Sequence, residues 1–498
     1  MKRVLIALLA MFLIAGGCSR KPEHKATDLF GAGLQQLDKF EFAKADSTFM
    51  SLEKADTASR EGAYGRGLVM ERKLQWYDAL MVYLKLADED PQFAPALQGA
   101  ARIFGMLGEY AEIPSIELQC VRISPTDPVT RFRLAQAYVN VGQLDSVTAV
   151  LDSAVTLGLD KEVADLLKAR MFLLQGQPDL AEQVAGQVLA QVVNSPEYFV
   201  EAADYLEARG YLDSAVAMSR RSQSEGEGYF DHRLGHFLRC LRTGYLTEAR
   251  GMIGEFRRQD KTDIVPTGLE LFYSWSAKDH RLADLMGSRY QQLVGPCYSG
   301  NIFDARSREL MLNNGAAEQE LRDIFIFLEK THATPEFADY MRFRASLMLA
   351  GLSDHVGALS KLALVTSWRA NLREFKLALA ENLYQTGQWD AYNALRDSIL
   401  QLRGDRTDWL TGLGDVASNT EIRLYGDAEK YYQKALEINP KYRPAFKSYV
   451  KMFTDQREYD KALGLYTQYP FFGSFYPRLA ITKATCLAEL DSLDTALN

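Results

Sequence analysis

Ala428-Glu-Lys-Tyr-Tyr-Gln-Lys-Ala-Leu-Glu-Ile-Asn-Pro440 is an alanine-centred helical stretch closed by a proline. Proline stops a helix at little cost where the helix has already finished, because its missing N–H is not needed there. Stepping outward from Ala428, similar stretches recur at a fixed interval. Ala45, Ala79, Ile113, Val147, Ala181, Ala215, Ala249, Ala283 and Ala317 follow one another at steps of 34 residues. A spacer shifts the register to Ala358, after which Tyr392, Ala428, Ala462 and Ala496 continue at steps of 34, 36, 34 and 34. Eleven of these fourteen anchors are alanine, so the period is not a chance pattern.

Other positions move in step with the anchors. Twelve residues before them stand small side chains: Gly33, Gly67, Ala101, Ala135, Ala169, Ala203, Ala305, Ser346 and Ala380. Helices packed ridge into groove at roughly 8–10 Å tolerate little bulk at such points. Five residues before an anchor, Gly108, Gly142, Gly176, Gly210, Gly244 and Gly387 supply a left-handed helix stop. Two residues further on comes a large apolar residue, such as Phe42, Trp76, Tyr110 or Trp389, placed to plug the end of the helix pair. Each unit is thus predicted to be two antiparallel helices.

This pattern resembles the tetratricopeptide repeat over residues 26–498, most clearly at Ala428 to Pro440 and at Gly108-Glu109-Tyr110 followed by Pro125. The resemblance implies an all-α fold, a right-handed superhelical solenoid of about fourteen helix pairs. Phe237, Leu271, Val416 and Val450 depart from it by occupying small positions. The stretches 293–301, with Gly295-Pro296, 329–337, with Pro335, and 404–420 are expected to bend or divide the array.

Residues 1–17 read as an export signal. Lys2-Arg3 precede an apolar run from Val4 to Ala15, too short to span a bilayer comfortably, and Gly16-Gly17 stand before Cys18. Ile14-Ala15-Gly16-Gly17-Cys18 resembles a bacterial lipobox, with Ala15 where the family prefers leucine. That resemblance implies cleavage before Cys18 and acylation of its thiol. Several acyl chains anchor stably, at about 0.8 kcal/mol per buried methylene. The alternative is an ordinary secretory signal with an incidental cysteine. Ser19, rather than aspartate, after Cys18 resembles lipoproteins sorted to the outer membrane, facing the periplasm. Residues 18–25 are expected to form a short polar tether.

Composition narrows the function classes. The 498 residues are 47% hydrophobic and 24% charged, which suits a folded chain. Lys plus Arg number 57 against 65 Asp plus Glu, and the formal net charge of −8 argues against nucleic acid as a partner. Cys120, Cys240, Cys297 and Cys486 form no C-x-x-C pair, and Cys120 and Cys240 fall on faces that the repeat buries. No P-loop, H-E-x-x-H or G-x-S-x-G occurs, so no enzymatic activity, cofactor or metal is expected. His232 and His236 lie one helical turn apart but are read as structural, because no acidic residue separates them. Gly412-Leu-Gly414 lacks the strand that a dinucleotide site needs.

In the resembled family the first helix of each unit lines a concave groove. Helical spacing projects Phe132, Gln136, Val139, Leu166, Arg170, Leu173, Val200, Asp204, Leu234, Leu238, Leu241, Phe272 and Trp275 onto it. The set is largely apolar, as binding surfaces often are, although buried core residues would give the same pattern. The lysine and asparagine set that grips a terminal carboxylate in some family members is missing. The resemblance therefore implies a membrane-anchored scaffold or assembly factor of the bacterial cell envelope that holds a protein or peptide segment. Alternatives are an envelope polysaccharide or peptidoglycan binder, an export-machinery component and, more remotely, a hydrolase using carboxylates or His232 and His236.

Overall fold

The computed structural model describes residues 22–55, 60–191, 193, 195–225, 230–312, 316–331, 335–419 and 421–490. The expected leader and Cys18 lie outside them, as does Ala496. Among the described residues helix is the only extended regular structure and no strand occurs. The first helix, Pro22–Asp38, already includes Pro22 to Lys25, which were expected in the tether. No described helix is long and apolar enough to cross a membrane.

Local chemistry starts the helices where the repeat needs them. Pro128, Pro178 and Pro196 each occupy a first helical position, where no N–H partner is lost. Asp127 accepts from Val129 N at 3.1 Å and Ser195 from Tyr198 N at 3.1 Å, capping two of these helices. Successive helices pair as antiparallel hairpins, for example Lys161–Leu174 with Pro178–Leu189 and Pro196–Arg209 with Leu212–Glu225.

The anchor alanines meet neighbouring helices as the period requires. Ala45, Ala79, Val147, Ala181, Ala215, Ala249, Ala283, Ala358, Tyr392, Ala428 and Ala462 are all buried, and Ile113 is partly so. All nine small positions are buried too. Close approach explains their size. Tyr83 is wedged between two glycines, since a Cβ on Gly67 would lie 2.5 Å from its Cε1 and one on Gly99 2.8 Å from its Cδ2. Phe237, Leu271, Val416 and Val450 are also buried, so the small position accepts bulk in four units.

The hairpin turn is more uniform than its glycines suggested. Gly108, Gly142, Gly176, Gly210, Gly244 and Gly387 all have positive φ. At the equivalent place in six other units, Phe40, Leu74, Lys278, Ser353, Arg423 and Arg457 adopt the same left-handed backbone, with φ between 53° and 62°. The closing hydrogen bond is the same in both groups: Gln143 N reaches Tyr138 O at 2.9 Å after Gly142, and Glu458 N reaches Phe453 O at 2.9 Å after Arg457. This is the Schellman geometry, in which glycine avoids a Cβ clash that five other residues here accept; after Arg423, Leu424 N reaches back to Ala417 O instead.

The segments expected to interrupt the array carry its helices. Residues 293–301 hold only the turn between His280–Val294 and Tyr298–Leu312, with Gly295 at φ 74°. Pro335 opens the helix Pro335–Gly351, and Thr407–Ser418 fills most of 404–420.

The larger departure is long range: the array winds back on itself, so that a second lap packs against the first. Trp76 stacks on Phe272 with ring centroids 5.0 Å apart, and Phe104 meets Tyr340 edge-on at 5.1 Å. Tyr290 donates to Lys73 O at 2.7 Å, and Asp78 accepts from Ser299 Oγ at 2.6 Å. Further along, Arg406 Nη2 donates to Gly142 O and Asn439 Nδ2 to Gln175 O, both across 264 residues. One buried cluster accordingly joins residues from Leu37 to Ala345. The seam also sorts the large apolar residues that open each second helix. Phe42 and Trp76 are buried under the second lap, whereas Tyr110 and Trp389 are exposed.

Candidate binding cavity between the two laps

The row expected to line the groove splits by register. Phe132, Val139, Leu166, Leu173, Leu234 and Phe272 are buried core residues, not surface. Leu238, Leu241 and Trp275 are partly buried against the core, Val200 is half-buried, and Trp275 Nε1 donates to Ser307 Oγ at 3.2 Å. Phe132, Gln136 and Val200 of the row nevertheless line one mainly apolar cavity of about 430 Å³, while Gln136, Arg170 and Asp204 bring polar groups to the middle of the row. The positions 15 and 8 residues before an anchor are rotated some tens of degrees from the position 11 before it, at about 100° per residue. That rotation turns most of them onto neighbouring helices.

Gln136, Arg170 and Asp204 occupy the middle position in three successive units and come together. Gln136 Nε2 donates to Glu201 Oε1 at 2.5 Å. Arg170 reaches Glu201 Oε2 at 3.2 Å, Asp204 Oδ2 at 3.3 Å and Asn140 Oδ1 at 3.0 Å. Arg239 pairs with the other oxygen of Asp204, and Arg242 meets both oxygens of Glu207 at 3.3 Å. The helix Pro196–Arg209 thus presents Glu201, Asp204 and Glu207 between guanidinium groups of the helices on either side. Burial alone would raise the Asp204 carboxyl, but Arg170 and Arg239 outweigh it and hold Asp204 below the ordinary carboxylate value. For Glu201 burial wins over Arg170, and its carboxyl is raised.

Asn140, Arg170, Asp204, Glu207 and Arg242 of this ladder line one wall of a cavity of about 500 Å³ whose other wall belongs to the second lap. From there Arg443 and Tyr476 face Tyr110, Arg170, Arg209 and Arg242. Arg443 lies over the Tyr476 ring at 4.8 Å and donates to Ala208 O at 3.4 Å. The cavity offers guanidinium, carboxylate, amide and phenol groups, a set suited to holding a polar chain by hydrogen bonds and ion pairs. Glu201, Glu207, Arg239 and Arg242 were missed in the sequence. Their signal is complementary charge about one repeat apart, as in Asp204 with Arg239 and Glu207 with Arg242. Arg443 and Tyr476 carried no such signal, because only the second lap brings them near.

The fold and this cavity define a tetratricopeptide-like α-solenoid. No family model matches the chain, and no curated protein matches it in sequence. Among solved structures, the Naa15/Naa10 complex bound to HypK-THB is similar at 10% identity, covering 95% of this chain and 75% of that one with a TM-score of 0.28. The APC/C hetero-tetramer Cut9–Hcn1 is similar at 13% identity, with 86% and 96% covered and a TM-score of 0.23. The human IFIT1 dimer with PPP-AAAA is similar at 13% identity, with 84% and 95% covered and a TM-score of 0.30. Superpositions of this quality place no residue, and the fold assignment stands on the repeat geometry itself.

Proposed function

We propose that this chain is a lipid-anchored scaffold of the bacterial cell envelope, facing the periplasm of the outer membrane, that holds an extended segment of a partner protein in the cavity between its laps. The observation that carries the reading is the charged wall of Arg170, Asp204, Glu207 and Arg242 facing Arg443 and Tyr476 across the cavity. A wall of alternating charges recognises a partner's backbone and charged side chains and gives specificity more than raw affinity. The lipobox at Ile14 to Cys18 supports the anchoring. The reading places the chain in an assembly or export machine and assigns it no reaction.

The test has two arms. Metabolic labelling with palmitate is expected to mark the wild-type protein and not Cys18→Ser; an unlabelled wild type removes the anchor. A photo-crosslinker at Tyr110, which is 44% exposed on the cavity wall, is expected to capture one envelope protein, and Arg242→Glu to abolish that capture. Unchanged capture in Arg242→Glu removes the cavity from the proposal. A second reading, an envelope polysaccharide or peptidoglycan strand in the same cavity, is favoured by Tyr110 and Tyr476, since phenol rings beside guanidinium groups suit sugar faces. Glycan binding by the purified protein alone distinguishes it.

A further inference from the structure

Beside the cavity, two consecutive helices bring together donor groups that the polar ladder does not use. His236 and Cys240 stand one turn apart on Phe230–Thr243, and Glu248 reaches them from the first turn of Leu246–Gln259. One ligand atom from each lies within 4.8 Å of the others. His236 Nε2 is 3.0 Å from Glu248 Oε1 and 3.8 Å from Cys240 Sγ. A tetrahedral zinc ion, with bonds of about 2.0–2.3 Å, spaces its donor atoms by roughly 3.3–3.6 Å. These two distances bracket that spacing, and the third pair, Cys240 with Glu248, lies within 4.8 Å, so side-chain rotation has to draw Glu248 and Cys240 onto a common ion.

The surroundings hold these donors in ligating positions. His236 Nδ1 lies 3.1 Å from Ser219 Oγ, on the preceding helix Leu212–Glu225. A serine hydroxyl both donates and accepts, so it supports either imidazole tautomer. Arg220 clamps Glu248 from the same helix, Nε to Oε1 at 2.8 Å and Nη2 to Oε2 at 2.7 Å. The other nearby cation, Arg239, is committed to Asp204. His232, the alternative partner one turn earlier, faces Ser222 instead, with Nδ1 3.0 Å from Oγ.

We propose that His236, Cys240 and Glu248 form a three-ligand site for zinc or a similar divalent ion, with water in the fourth position on the partly exposed side of Glu248. Without the ion, neutral His236 donates its Nε2 proton to Glu248 and accepts at Nδ1 from Ser219. Binding reverses the tautomer: Nδ1–H donates to Ser219, and the Nε2 lone pair bonds the metal. Cys240 releases its proton to solvent as the sulfur–metal bond forms, so one proton leaves per ion and nothing is oxidised or reduced. The ion ties the helix carrying Arg242 to the helix that follows it, which fixes one wall of the cavity.

The full chain, stripped with chelator and titrated with cobalt(II) alone, is expected to take up one ion and show a thiolate-to-cobalt charge-transfer band. Cys240→Ser removes the band and weakens zinc competition about a hundredfold. Ser219→Ala keeps the one-ion stoichiometry at about tenfold lower affinity. Glu248→Gln, which leaves the apolar core untouched, weakens uptake by a similar factor and serves if Cys240→Ser fails to fold. Cys120→Ser, in a distant buried thiol, changes nothing. A wild type without the band, a band retained in Cys240→Ser, or a loss in Cys120→Ser overturns the site.

Discussion

Arg369 and Glu112, 257 residues apart, form an ion pair at 2.7 Å with both side chains almost fully buried. Glu112 belongs to the first lap and Arg369 to the second, so the pair pins the seam. Arg344 does the same for Glu109, three residues earlier in the same hairpin. Removing one partner of such a pair strands the other charge in an apolar medium. Glu112→Ala is expected to cost about 3–5 kcal/mol, whereas Glu112→Leu with Arg369→Met recovers most of it. Amide exchange in Tyr110–Ile123 and Trp368–Asn371 reads the loss locally. Equal exchange in wild type and Glu112→Ala would show that the seam does not depend on this contact.

Lys278 and Arg457 hold left-handed backbone at exposed turn positions, with φ of 55° and 58°. Lys278→Gly and Arg457→Gly are each expected to stabilise by about 0.5–1 kcal/mol, because the Cβ strain relieved exceeds the added chain entropy. Gly142→Ala, at φ 74°, should destabilise by about 1 kcal/mol. Urea midpoints of the three variants check the sign at both kinds of position.

Tyr83 fills the space that two absent side chains leave. Gly99→Val therefore overpacks the first-lap core and is expected to cost about 1–3 kcal/mol. Tyr83→Leu in the same chain should restore part of that loss. Additive losses in the double variant would show that Tyr83 is not what Gly99 accommodates.

Burial pushes the Glu117 carboxyl up to about 7, and its Oε2 has no hydrogen-bond partner among the described residues. The folded state thus holds the proton more tightly than the unfolded chain. Its contribution is fully present below about pH 4.3 and is lost as pH rises through about 7, a change on the order of 3 kcal/mol. Glu117→Gln keeps the shape without titrating, so its stability relative to wild type is expected to grow between pH 5 and pH 8. Parallel stability profiles for the two proteins would contradict the assignment.

The hairpins were legible because their cause is local. Ala428, Ala462 and Ala79 are small where helices touch, and glycine at 108, 142 and 176 marks turns whose backbone leaves L-residues strained. The same rule hid half the turns, since Phe40 and Leu74 hold that backbone through tertiary packing. For the site, the sequence projected Arg170 and Asp204 onto the same largely apolar row as Leu166 and Leu173, yet the first two line the cavity and the last two lie in the core. Rotation of one helix against the next, a matter of tens of degrees, decides that and leaves no trace in the spacing. Nothing in a 34-residue period says which unit will meet which after a full lap, so the partnership of Ala208 with Arg443 had no sequence signature.

Windings fastened edge to edge behave as a tube rather than a spring. The bonds at Gly142 and Gln175 oppose any widening of the pitch, so axial load on the molecule is carried as shear along the fastened edges. The separation of Arg170 on one winding from Arg443 on the next is therefore set by those edges, and the proposed guest would meet a cavity of fixed gauge.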